Sequence, residues 1–408
     1  MKHAPETTKP FFTPGTRLLT AVMLAGLAFG LYRMLAGLGA ATNLSDQYPL
    51  GLWIGLDVAT GVALAAGGFT SAALVYIFNR KQFYSILRPA LLTALLGYTF
   101  VAIGLLFDLG RWHAIWHPML PSMWQGNSVL FEVGLCVMLY LSVLYLEFTP
   151  IVCERYIGRV RLPGRLSVLN NRAGLCLRVI AYILGRIMPL LIIAGVVLSC
   201  LHQSSLGSLM MIAPYKLHPL YWSPLLPLLF LTSAIAVGFP MIILESLTAA
   251  RAFDRAPEME VLAPLARYCP WMIGLYCVCR AADMLLRGTW IFLFEPSQGT
   301  LVCWIEFGLL SVVPCCLFMS RNVRSNSRAL MVTSGMYILG VALNRCAVFF
   351  LAVNPQYAQQ SYVPALAEFA LTTGLILCIV LCYRAAVYWL PVLPAREDSL
   401  RHSSMRND

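Results

Sequence analysis

The chain has 408 residues, 59% of them hydrophobic and only 12% charged, and its mean hydropathy is +0.75. Soluble domains carry about a quarter charged residues, so this composition excludes a soluble protein. A formal net charge of +11 would suggest nucleic acid in a soluble chain. Here no basic block is interleaved with aromatics in a polar segment, and the loop bias that orients membrane helices accounts for the charge without a nucleic-acid partner.

Apolar runs of about 20 residues predict ten transmembrane helices, an all-α polytopic membrane protein. The first run, 17–42, is too long for a signal-peptide core and has Gly26 and Gly30 at a close-packing spacing. The second, 50–79, contains Trp53 and Asp57 in GLWIGLDVATG, and the third, 86–107, contains Tyr98. A loop from Asp108 to Asn127 follows, rich in Trp and His, which suits either a docking surface or an aromatic interface belt. The fourth run, 128–149, carries Glu132 in SVLFEVGLC. The fifth, 175–201, has Arg186 midway and gives way to the polar stretch LHQSSLGSLM, with His202 and Gln203, read as a membrane-boundary feature. The sixth, 221–250, carries Glu245 toward its end. Runs at 262–290, 299–320, 328–351 and 364–389 complete the set, and the segments 1–16 and 391–408 are expected to be cytoplasmic tails. Helices two to five and six to nine are expected to form two four-helix bundles, with the first and tenth peripheral. Glu132 and Glu306 lie four helices apart, as do Arg186 and Arg345, which suggests a duplication.

Twenty Lys and Arg fall in the loops and tails on the side of the two termini and three on the opposite side. The positive-inside rule therefore places both termini in the cytoplasm of a bacterial inner membrane. A charged group in hydrocarbon costs at least about 2.5 kcal/mol, so the intramembrane set of Arg33, Asp57, Glu132, Arg178, Arg186, Glu245, Arg280, Asp283, Glu306, Arg345 and Glu368 needs partners or a function. At 1.5 Å per residue, Asp57 and Glu132 fall about a third of the way in from the outer face, near the level that His202 approaches. Glu132, then Tyr98 and Arg186, then Glu245 would make a descending file of the kind a proton path requires.

The thirteen cysteines are scattered through the apolar runs with no C-x-x-C pair, the pattern of buried small side chains. None of the six histidines lies mid-helix in this reading, which predicts no haem held between helices and no intrinsic metal. An electron-transfer role would then require an organic, membrane-dissolved carrier. A quinone fits: His202, Gln203, Asp57 and Glu132 offer polar contacts, and Trp53, Phe131 and Trp124 offer walls for its head.

GLWIGLDVATG at 51–61, YxxxxxxLLFDLGRWHxxWHP at 98–118, SVLFEVGLC at 128–136, LHQSSLGSLM at 201–210 and FPMIILESLTAA at 239–250 together resemble the integral-membrane subunit of the polysulfide reductase and nitrite reductase type. The branch of hydrogenase-2-type complexes, whose subunit is often misnamed a cytochrome b, is most similar. The resemblance implies a quinone-reactive subunit, with menaquinone or ubiquinone as exchangeable substrate near the periplasmic face. Its implied partners are a periplasmic four-cluster ferredoxin-like iron-sulfur subunit and the large and small subunits of a nickel-iron hydrogenase, or another periplasmic oxidoreductase. It further implies quinone-site or proton-path roles for Asp57, Tyr98, Glu132, His202 and Glu245, with proton translocation a possible accompaniment; Arg186 is added from its depth alone. A secondary transporter and a purely structural anchor are the alternatives. The transporter should show broken, Gly-rich helices meeting at the midplane; the anchor should tolerate loss of its buried acids.

Overall fold

A computed structural model describes residues 10–160, 163, 167, 169–355, 358 and 361–393; most of both predicted tails lies outside them. Ten helices are long and apolar enough to span a membrane: α1 Pro14–Ala36, α2 Trp53–Ile77, α3 Lys81–Asp108, α4 Val129–Tyr156, α5 Asn170–Met211, α6 Leu226–Ala252, α7 Met259–Leu286, α8 Gln298–Met319, α9 Ser327–Leu351 and α10 Leu366–Trp389. Among the described residues the only β pairing is one isolated bridge, Leu217 to Val353.

The helices pack as two four-helix bundles, α2–α5 and α6–α9, joined where α2 and α5 meet α6 and where α2 meets α9. Helices α1 and α10 pair with each other on the outside of the first bundle. In α2, 83% of the most apolar stretch is buried, against 17% in α1, so α2 is the spine and α1 a peripheral strut. Small residues allow the close contacts. A Cβ on Gly26 would collide with the carbonyl oxygen of Ala370 on α10. Near the middle of α2, Gly67 and Gly68 pack against Ile242 and Ala94; α2 is interrupted there at Ala65–Ala66, but the neighbours are apolar.

Local chemistry moves several helix ends away from their predicted positions. Helix α1 stops at Ala36, not 42, because Gly37 adopts φ +93 and its N–H closes on the Arg33 carbonyl. Arg33 itself is buried, donating to the carbonyls of Phe107 (2.5 Å) and Leu109 (2.6 Å) at the C-terminus of α3, where cations complement the exposed carbonyls. Helix α5 extends much further than predicted, from Asn170 through the whole polar stretch to Met211. Its serines bond back to carbonyls of their own helix, Ser205 to Leu201 (2.8 Å) and Ser208 to Ser204 (3.3 Å), so they neither cap nor break it. His202 thus lies inside a helix, nine residues and about 13 Å before its end, and the expectation that the fifth helix ends at Leu201 is corrected. Gly207 presses α5 onto α6, since a Cβ there would stand 2.6 Å from the Leu226 carbonyl oxygen.

The loop after α5 is clasped to the end of α9. His218 N–H donates to the Ala352 carbonyl (2.9 Å) and Asn354 N–H to that of Lys216 (2.7 Å), while the His218 ring meets Ser297 Oγ (3.2 Å) and accepts from the Leu220 N–H (3.3 Å). Burial disfavours the imidazolium and lowers the His218 pKa, with Glu295 opposing. The unfolded chain therefore binds the proton more readily, and the clasp is fully stable above the free imidazole value, about 6.5, and weakens as pH falls below it. Hydrogen exchange of the amides at 216–222 is expected to accelerate on acidification, and His218→Gln to flatten that response; a pH-independent wild-type rate would refute it.

Candidate functional site

The first bundle carries a polar cluster in its interior on α3, α4 and α5. Tyr98, Ser199, His202 and Gln203 are all fully buried. The Tyr98 hydroxyl lies 3.3 Å from His202 Nδ1 and 3.4 Å from Ser199 Oγ, and its ring meets Tyr140 edge-on at 4.5 Å. Gln203 Nε2 donates to the Val62 carbonyl on α2 (3.0 Å), which fixes the orientation of its amide.

Among the described residues two atoms in this cluster have no hydrogen-bond partner of normal geometry, His202 Nε2 and Gln203 Oε1, although the Gln203 side chain lies close enough to the Tyr98 hydroxyl to act on it. A buried polar atom left unsatisfied costs about 1–3 kcal/mol, so such a pair on adjacent residues marks a place for a ligand. When the Tyr98 hydroxyl donates to Nδ1, the proton of the neutral ring sits on Nε2. The cluster then presents one unpartnered donor, Nε2–H, and one unpartnered acceptor, Oε1.

Three residues along α5 on the same face, Ser205 donates to Glu132 Oε1 at 2.6 Å. Glu132 is exposed on α4 and sits in its first turn behind the Ser128 cap, three residues from the helix start and not a third of the way along it; the helix N-terminus favours an anionic side chain there. Phe131 and the exposed Trp124 lie beside it with ring centroids 5.8 Å apart.

The other predicted residues are placed differently. Asp57 Oδ2 accepts from Thr372 Oγ1 on α10 (2.8 Å) and Trp53 Nε1 donates to the Glu368 carbonyl (3.2 Å), so both face the peripheral pair and not the His202 cluster. They sit in a stretch of α2, Trp53–Thr60, that is widened to π-type turns, a feature often found at functional sites. Arg186 is exposed on α5 and reaches only Tyr182 of its own helix (3.2 Å); the structure does not bring it into the polar file. Both carboxylate oxygens of Glu245 are shielded and without a hydrogen bond, with Thr93 and Tyr383 as neighbours.

Glu147 is the residue the sequence reading passed over. It is buried on α4, and its Oε1 and the Tyr140 ring both face the bare Cα of Gly195, where a Cβ would lie 3.1 Å from the oxygen and 3.5 Å from the ring. Its signal was the seven-residue spacing from Tyr140, two turns along one helix face. Glu147 thus extends the interior line begun by Tyr98 and Tyr140, in the position assigned to Arg186.

Residues 61–355 match the sequence model of the polysulphide reductase, NrfD, family. A protein of Nitratidesulfovibrio vulgaris is 34% identical over 98% of this chain and 99% of its own length. The probable Ni/Fe-hydrogenase 2 b-type cytochrome subunit of Escherichia coli is 30% identical over the whole of both chains. The integral membrane subunit of a menaquinone reductase from Nitratidesulfovibrio vulgaris is 26% identical over 91% of this chain and 89% of its own.

The Escherichia coli relative corrects one expectation. A full-length relative bears a b-type cytochrome designation, so the reading of a chain without haem is withdrawn. His202 Nε2 is a buried, unpartnered imidazole nitrogen and could supply one ligand, but His202 is the only described histidine on a membrane-spanning helix. Among the described residues no three His, Cys, Asp or Glu gather to hold a metal ion. These side chains do not supply the ligand pair that holds a haem between helices.

Proposed function

Because the chain belongs to the polysulphide reductase NrfD family, we propose that it is the quinone-reactive membrane subunit of a respiratory oxidoreductase, exchanging electrons between an iron-sulfur partner and the quinone pool. One observation carries this reading: the buried, unpartnered donor and acceptor of His202 and Gln203. A quinone carbonyl accepts from Nε2–H, and the hydroxyl formed on reduction donates to Gln203 Oε1. Reduction consumes two electrons, supplied by the partner, and two protons. Tyr98 positions the imidazole through Nδ1 and can return a proton to it, while Tyr140 and Glu147 lead away from the site. Glu132, tied to Ser205 beside Phe131 and Trp124, guards the approach from the bundle surface.

Both termini lie in the cytoplasm of a bacterial inner membrane in this proposal, on the strength of the Lys and Arg distribution. The quinone site then faces the periplasm, as does the loop with Trp112, Trp116 and Trp124, all exposed, against which a periplasmic iron-sulfur subunit would dock. The names of two relatives, a nickel-iron hydrogenase subunit and a menaquinone reductase subunit, support the class of partner and substrate.

Purification of the assembled complex tests the assignment. Iron-sulfur clusters and quinol formation at the expense of the partner's electron donor are expected; a chain that purifies alone and transports a solute would overturn it. Glu245 is assigned to proton delivery from the cytoplasmic side. Glu245→Gln is expected to slow quinone turnover several-fold or to uncouple it from membrane potential, and full rate with full coupling in proteoliposomes would remove it from the path.

A further inference from the structure

The outward face of α5 carries a polar stripe that the quinone reaction leaves unused. Arg178, Tyr182 and Arg186 follow one another at intervals of four along one side of the helix, and all three are exposed. Arg186 Nη2 donates to the Tyr182 hydroxyl (3.2 Å), and the guanidinium lies 5.4 Å from the centre of the Tyr182 ring. The packing of α4 on α5 fixes the level of this pair. Glu147 Oε1 faces Gly195; nine residues on from Glu147 is Tyr156, where α4 ends, and nine residues back from Gly195 is Arg186. At 1.5 Å per residue both are about 13 Å further along. Arg186 therefore stands level with the last turn of α4, at a membrane face and not midway through the span. Its side chain leans toward Tyr182, away from the hydrocarbon, as long basic side chains do near helix ends.

We propose that Arg186 and Tyr182 bind the phosphate of an anionic phospholipid in the leaflet at this face. The reading does not rest on the quinone assignment. The carboxylate at this level, Glu154, is taken by Arg88 on α3 (2.8 Å), and among the described residues neither Arg178 nor Arg186 has an acidic partner. A guanidinium so placed is complementary to a phosphodiester, to which it can give two parallel N–H bonds. The Tyr182 oxygen accepts from Arg186, so its own proton is free for the same phosphate. Arg178 further out, with Arg155 and Arg159 after Glu154 on the same side, adds positive charge that favours an anionic headgroup over a zwitterionic one. Inward from Arg186 the same helix face continues as Leu190, Ile193 and Val197, all exposed and spaced as one apolar stripe. A stripe that runs from a phosphate-binding cation into the hydrocarbon suits the acyl chain of a lipid, and not a segment of a soluble protein.

Native mass spectrometry of the full chain, delipidated in detergent and titrated with phosphatidylglycerol or with phosphatidylcholine of the same acyl chains, tests the site. Phosphatidylglycerol is expected to bind several-fold more tightly. Arg186→Ala should remove most of that preference and Arg186→Lys, which keeps the charge but loses the planar fork, only part of it. Arg321→Ala, which removes an exposed arginine between α8 and α9, should leave it intact. Glycerol 3-phosphate, the headgroup chemistry without the chains, should not displace the lipid. In the assembled complex, phosphatidylglycerol with a photoreactive acyl chain should label the α5 peptide containing Leu190, Ile193 and Val197. Equal binding of the two lipids, equal loss in Arg186→Ala and Arg321→Ala, displacement by glycerol 3-phosphate, or an unlabelled α5 peptide would each overturn the proposal.

Discussion

His202→Ala is expected to lower quinone reduction by the assembled complex by about 10²- to 10⁴-fold, the range for loss of a positioned proton donor, while dye reduction by the catalytic partner stays at the wild-type rate. The substitution removes the donor to the carbonyl and leaves the Tyr98 hydroxyl with Ser199 and Gln203 but without the ring nitrogen. Tyr98→Phe should have a smaller effect and a different signature. It leaves Nε2 in place but frees the choice of tautomer, so the fall in rate should depend on pH more steeply than in the wild type. Glu132→Ala should also depress quinone turnover, with its effect mainly on the quinone concentration needed for half-maximal rate, since Glu132 sits at the bundle surface. Unchanged quinone turnover in both alanine variants would refute the site.

In the second bundle, Arg280→Ala is expected to destabilise the folded chain by about 3–5 kcal/mol, the usual result of stranding one buried charge. The pair is 2.5 Å apart with both side chains sequestered, and the Arg280 guanidinium also stacks on Phe307 at 4.8 Å and bonds the Tyr276 hydroxyl at 2.9 Å. Replacing both charges, as Arg280→Met with Glu306→Leu, should restore stability to near the wild-type level, because the desolvation of two ions is removed together with their attraction. Thermal unfolding in detergent measures both. A double variant no better than Arg280→Ala would mean that the pair does not act as a unit.

These two polar interiors show what the sequence could and could not reveal. The ten spans were legible because a bilayer demands about 20 apolar residues per helix, and the pairing into bundles followed from their order. The repeat holds at the level of placement. Glu132 on α4 bonds Ser205 on α5, and Glu306 on α8 bonds Asn344 on α9, so each bundle ties a carboxylate on its third helix to its fourth. The matching of Arg186 with Arg345 does not hold, since Arg345 is fully buried over the Phe230 ring and Arg186 faces outward.

The helix that carries each residue was legible, but the face was not. Asp57 and Trp53 lie on the predicted second helix and bond to α10, because a widened π-type stretch shifts the angular register that regular turns would give. The polar stretch after Cys200 misled for a related reason. Ser and Gln at a helix end and Ser and Gln inside a packed helix look alike until the i−4 carbonyls and the α6 backbone supply their partners. Glu147 was passed over although its spacing from Tyr140 was visible, because it lies two residues from the end of the predicted run 128–149, where a carboxylate draws no notice.

Photoaffinity labelling of the assembled membrane complex with an azidoquinone, followed by peptide mapping, tests the central claim most directly. The account predicts label on the α3 and α5 peptides that contain Tyr98, His202 and Gln203, and its loss in His202→Ala. Label concentrated instead on the α2 and α10 peptides around Asp57 and Thr372, with the α5 peptide clean, would contradict it.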